Sequence, residues 1–151
     1  MNLSLEKIKE TFPFINEKAY TSNDFWRVAK SLKIIVKEEP LLIDGYYKVE
    51  KGKPVILINI DLPPVEWTLT AFHELVHHLL DFPYKKSSVL LYRDVQKMQS
   101  IQEERAEAIA LILMIPILKL KELEETPFDQ PHPFTQKVLV KRQRIFERFG
   151  V

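Results

Sequence analysis

Apolar residues along the chain alternate between helical spacing and short strand-like runs, and their order predicts an α+β protein. Phe25, Val28, Ala29 and Leu32 recur at helical spacing, so an opening helix is expected to include Asp24 to Lys33, with Ser22 or Asn23 as N-cap. Ile34 to Lys37, Ile43 to Glu50 and Pro54 to Ile60 read as short strands, with Lys51-Gly52-Lys53 turning between the last two. These predict a small, mainly antiparallel three-stranded sheet packed with helices. Leu69, Phe72, Val76 and Leu79 form the next apolar stripe. Asp61 and Pro63-Pro64 precede it, Glu66 falls in its first turn and Pro83 closes it, which predicts a helix from Pro64 to Leu80. Tyr84 to Gln99 reads as a loop with one short helix, a cleft wall or lid. From Ser100 a polar opening runs into Leu111-Ile112-Leu113-Met114-Ile115-Pro116, the pattern of a buried helix with its charged end at a site.

The stripe on the Pro64 to Leu80 helix matters because its other face carries His73-Glu74-Leu75-Val76-His77. Residues four apart on a helix lie on one face a turn apart, so the two imidazoles can share one metal ion. Glu74 projects beside them, in reach of a water at that metal, where a general base belongs. Two neutral imidazoles and one carboxylate suit zinc and leave a fourth coordination position open, which is the donor set of a hydrolase. His78 lies about 100° around the helix from His77 and does not fit the same metal.

The third ligand is most economically a carboxylate from a second helix, since the chain has no cysteine and His132 is the only other histidine beyond His78. Glu103, Ala106, Glu107 and Ala110 fall on one helix face, where small alanines permit close approach. Ser100 and Glu103 also have capping-box spacing, so Glu103 has two readings, metal ligand or helix cap.

The chain resembles the ImmA/IrrE-type metallopeptidases, which couple His-Glu-x-x-His to a later Glu-x-x-Ala-Asn/Asp and a Leu-Met-Pro-like ending. Here the counterparts are Glu103-Glu104-Arg105-Ala106-Glu107 and Met114-Ile115-Pro116. Upstream, Asp44-Gly45-Tyr46-Tyr47 and Pro54-Val55-Ile56-Leu57-Ile58-Asn59 look similar too, so the resemblance spans residues 24–116. It implies a zincin-like, gluzincin-type site in which His73, His77 and Glu103 hold zinc and Glu74 is the catalytic base, with Glu104 as reserve ligand. Glu107 stands where the family has Asn or Asp, and would accept the free ring N–H of a ligand histidine. The implied substrate is a polypeptide, specifically a helix-turn-helix transcriptional repressor of a phage, mobile element or stress response.

Composition narrows the setting. With 151 residues and 46% hydrophobic content, one domain over residues 1–151 is expected. The absence of cysteine agrees with a reducing compartment, and the cytoplasm is the default. No secretory apolar core opens the chain, and Ala108 to Leu118 falls short of the roughly 20 residues a membrane span needs. A formal charge of +1 gives no global attraction for nucleic acid.

Lys137, Lys141, Arg142, Arg144 and Arg148 make a basic C-terminal helix with Val138, Ile145, Phe146 and Phe149 as its packing stripe. Its cations are read first as a solvated face and only then as a DNA contact. The last strand leads into the metal helix and is expected to offer a free edge, Val55 to Ile60, to an extended peptide. An oxyanion donor is sought among Tyr46, Tyr47, Tyr84, Tyr92, His78 and His132. Proteolysis is preferred to two alternatives: a metal-containing module that sequesters a regulator without cutting it, and a DNA-binding regulator. Zinc is the default metal, although manganese, iron or cobalt also suit such a site.

Overall fold

Burial follows the predicted stripes closely enough that most elements fall where the pattern puts them. The structure is a computed structural model describing residues 1–81, 92–127, 129 and 132–151, with side chains in the helix that starts at Tyr92 described from Gln99 onward. Helix α1 (Leu5–Lys9) is followed by α2 (Ser22–Ser31), then strands β1 (Ile35–Glu39), β2 (Gly45–Glu50) and β3 (Lys53–Asn59). Helix α3 (Pro64–Val76) continues into a π-helical turn (His77–Asp81). Helices α4 (Tyr92–Met114), α5 (Ile117–Glu124) and α6 (Gln136–Phe149) complete the α+β fold.

Helix α2 starts from Thr21, not from Ser22 or Asn23. The Asp24 carboxylate reaches back to the Thr21 N–H at 2.8 Å, satisfying a donor that has no partner within the helix. Helix α3 begins with Pro64 at its first position, where a missing N–H does no harm. Its buried face is wider than the predicted stripe, since Trp67, Ala71 and Leu75 join Phe72 and Val76. Tyr92 to Gln99, expected in a loop with one short helix, instead open the long helix α4, whereas the expectations for Pro83 and for residues 84–91 lie outside the described residues.

The sheet order is β1-β3-β2. The β2–β3 hairpin is antiparallel with Tyr47 opposite Ile56, whereas β1 runs parallel to β3 with Val36 opposite Ile56. Residues 40–44 must therefore cross the end of β3. Asn59 holds that crossing: its Oδ1 accepts from the Leu41 N–H at 3.3 Å, and its own N–H donates to the Asp44 carbonyl at 2.7 Å.

The strand expected to offer a free edge is thus the central one. Val55, Ile56, Leu57 and Ile58 are all buried, which suits a strand covered on both faces and paired on both edges. Peptide addition along Val55 to Ile60 is ruled out, because the hydrogen-bonding groups of β3 are taken by β1 and β2.

Ile56 and Ile58 join Phe25, Phe72, Leu75, Ile109 and Ile112 in the main core. Helices α3 and α4 pack together with Ala106, Ala110 and Ala71 wholly buried, small side chains that let two helix backbones come close. No helix among the described residues is long and apolar enough to cross a membrane.

Of the five cations of the basic helix α6, Lys137, Lys141, Arg144 and Arg148 keep solvent exposure, as a solvated face requires, and one does not. Arg142 is wholly buried, Lys141 pairs with Glu107 and Arg148 pairs with Glu104 at 2.5 Å. Three of the five cations are therefore engaged with the protein itself, which removes most of the charge a DNA contact would use.

Candidate metal centre

Helical spacing brings His73 and His77 onto one face at the end of α3, and α4 brings Glu103 across to them. The His73 Nε2 and His77 Nε2 atoms lie 3.2 Å apart. Glu103 spans both, with Oε2 at 2.9 Å from His73 Nε2 and Oε1 at 2.9 Å from His77 Nε2. Tetrahedral ligands at 2.0–2.1 Å from zinc stand about 3.3 Å from one another, so these separations and this donor set fit one such ion. Among the described residues, His73, His77 and Glu103 are the group of ligating side chains so gathered. Ser100 lies inside α4, so the capping-box reading of Glu103 falls away and its carboxylate is free for the histidines.

The electrostatics are those of acceptors crowded together. Burial and the neighbouring His77 charge hold His73 below the ordinary imidazole range, against the pull of Glu103 and Glu107. Burial also opposes charge on His77, but the Asp81 hydrogen bond and the charges of Glu103, Glu74 and Asp81 outweigh it and raise its pKa. Glu74 is buried beside them. Burial pushes its pKa up to about 7; His77 and the Tyr47 backbone N–H pull it down and Glu103 pushes it up.

His77 Nδ1 lies 2.8 Å from Asp81 Oδ2, and Asp81 Oδ1 lies 2.5 Å from an Arg105 Nη. Asp81 thus makes the ring contact to His77. Glu107 pairs with Lys141 and acts on His73 through its charge. Glu104 is drawn to Arg148. Asp81 went unnoticed in the sequence although a carboxylate four residues after a candidate ligand was a usable signal.

His78 turns away from the other two histidines. Its Nδ1 sits 2.9 Å from the Tyr47 hydroxyl. Burial raises Tyr47 to about 12 and lowers His78, so both are neutral near pH 7 and the phenol donates to the ring. Of the proposed oxyanion donors, Tyr46 and Tyr47 line the cavity that contains Glu74 and His77. His132 lies elsewhere, facing the Thr126 carbonyl at 3.3 Å near the start of α3. Tyr84 and the side chain of Tyr92 are outside the described residues.

Two cavities meet at the centre. One of 570 Å³ holds His73, Thr70 and Glu107, and one of 760 Å³ holds His77, Tyr47 and Gln102. Gly45, Glu74 and Glu103 line both, so a cleft continues past the candidate centre on either side and along β2. Gly45 permits that closeness, because a Cβ there would stand 2.6 Å from the Leu57 carbonyl oxygen and 2.7 Å from Thr70 Cγ2.

An α+β fold that sets two histidines of one helix against a glutamate of another, with a buried carboxylate beside them, has the architecture of a metallopeptidase. The family model described as the IrrE N-terminal-like domain, a peptidase family, matches residues 29–151, and the chain belongs to that family. No curated protein and no solved structure matches the chain significantly.

Proposed function

We propose that this protein is a metal-dependent endopeptidase in which His73, His77 and Glu103 hold one divalent cation, zinc by default, and Glu74 is the general base. The observation that carries this reading is the convergence of three ligand atoms on a point in an open cleft with the buried Glu74 next to it. A cation held there would polarise the scissile carbonyl and make water nucleophilic near neutral pH. Glu74, kept in place by the Tyr47 N–H, takes a proton from the attacking water and passes it to the departing amine.

Polypeptide as substrate agrees with the cleft. Strand β2 is the sheet edge that lines it. Because the Tyr47 N–H points to Glu74, the alternation of an antiparallel strand turns the main-chain groups of Gly45 and Val49 to the same open side. An extended peptide can lie there and pair with β2. A particular regulatory protein, of the helix-turn-helix repressor type, is the substrate class we favour, on the strength of the family resemblance.

The test is Glu74→Gln. The variant should bind metal as the parent does while peptide hydrolysis falls by ~100-fold or more. Undiminished turnover would exclude Glu74 as base. Comparable cleavage of many unrelated unfolded proteins would argue against a dedicated regulatory substrate.

A further inference from the structure

We propose that Asp81, clamped by Arg105, is the positioning residue that makes His77 a ligand, an inference that rests on the metal-site reading above. A carboxylate can only accept, so the 2.8 Å contact between Asp81 Oδ2 and His77 Nδ1 puts the ring proton on Nδ1. Nε2 then carries the lone pair, and Nε2 is the atom that faces His73 and Glu103. The ring can no longer flip without breaking this bond.

The second oxygen of Asp81 is held at 2.5 Å by Arg105, two residues after Glu103 on α4. One helix thus supplies both a ligand and the clamp that fixes the partner of another ligand. The side chains of Asp81 and Arg105 are 10% and 19% exposed, so water screens the pair poorly. Arg105 fixes the orientation of the Asp81 carboxylate, and a carboxylate held against the ring N–H makes an imidazole the better ligand.

The π-helical turn places this pair where the chain leaves α3, and turns of this kind inside helices recur at functional sites. Asp81 divides its two oxygens, one to Arg105 and one to His77, so the pair is tied to the ring and not only to the helix.

The deciding experiment measures zinc affinity by chelator competition for the parent, Asp81→Ala, Asp81→Asn and Arg105→Gln, together with the melting temperature of each metal-free protein. Removing such a partner typically weakens metal binding about 10–100-fold, and that loss is expected for Asp81→Ala. Asp81→Asn should lose less, because its amide oxygen still accepts from Nδ1–H, and Arg105→Gln should also weaken binding. Asp81→Ala and Arg105→Gln should each lower the metal-free melting temperature by leaving a buried charge unpaired, whereas Asp81→Asn, still able to hydrogen-bond, should melt close to the parent.

Unchanged zinc affinity in Asp81→Ala would overturn the proposal. So would a weakening matched by a large fall in metal-free melting temperature in all three variants, which would mark a staple and nothing more. A parent that binds no zinc would instead sink the metal reading. Imidazole nitrogen spectra of the metal-free protein at alkaline pH still decide the role of Asp81 in that case: a fixed Nδ1–H tautomer of His77, lost in Asp81→Ala, supports it, and mixed tautomers in the parent refute it.

Discussion

Two clusters of polar groups among the described residues, one in the interior and one facing the cleft, are built in opposite ways. Around Arg142, which is wholly buried, every nitrogen finds an oxygen: Nε donates to the Ile115 carbonyl at 2.7 Å, one Nη to the Val151 carbonyl at 2.7 Å and the other to Asn16 Oδ1 at 3.0 Å. Burial lowers its pKa to about 10, so it stays charged near neutrality. Around His73, His77 and Glu103, acceptors face acceptors, and only a proton or a cation between them reconciles the arrangement. A structural charge is closed off by fixed partners, whereas a site for a ligand keeps one valence open and uses its buried partners, such as Asp81, to aim it.

That contrast is broken most sharply by exchanging what is lost. Arg142→Met strands the Ile115 and Val151 main-chain oxygens, while Asn16 Oδ1 keeps the Ile117 N–H, and with each unsatisfied buried group costing about 1–3 kcal/mol the variant should lose on the order of 2 kcal/mol or more. Denaturant unfolding measures this. Glu103→Ala should unfold at nearly the parent's denaturant midpoint in the metal-free state, yet lose stoichiometric metal binding. If Glu103→Ala destabilised the metal-free protein as much as Arg142→Met does, the distinction between the clusters would fail.

A smaller effect is expected at Gly45, where the open cluster meets the sheet. Gly45→Ala forces a Cβ against the Leu57 backbone, and overpacking of this kind costs about 1–3 kcal/mol. Because Gly45 lines both cavities, β2 should shift and substrate binding should weaken along with stability, read as a raised KM beside a lower melting temperature.

The smallest effect concerns the phenol at the rim of the open cluster. Tyr47 ionises at about 12 in the folded protein because burial disfavours its anion, against about 10 in an unfolded chain. Its stabilising contribution is therefore complete below the unfolded value and declines as pH rises from there through the folded one. Tyr47→Phe should lose the contact to His78 and show a shallower loss of stability with pH in that alkaline window than the parent. Parallel pH profiles would disprove the role assigned to burial.

Legibility from sequence followed how local each interaction is. The candidate ligand pair His73 and His77, with Glu74 beside them, lies within five residues of one helix, so spacing alone placed them on one face. Glu103 needed the family resemblance, because its competing reading as a helix cap fell only when α4 was seen to begin at Tyr92. Asp81 was overlooked as the partner of His77. Nothing local to α4 tells that Lys141, far along the chain, would draw the Glu107 carboxylate away. The central place of β3 had a signal in the unbroken run Val55-Ile56-Leu57-Ile58, which suits burial on both faces better than an edge.

The sequence by itself determined what is periodic or contiguous: the order of elements from α2 to α4, the apolar faces, and the histidine pair on one helix, all consequences of backbone geometry repeating every few residues, whereas α1 and α5 went unpredicted. The tertiary structure alone decided which strand is central, which cations of α6 are buried or paired, and which carboxylate holds His77. Those outcomes depend on groups brought together across the chain. Whether a charged side chain is solvated, closed off or left aimed at a ligand depends on the partners that packing sets beside it.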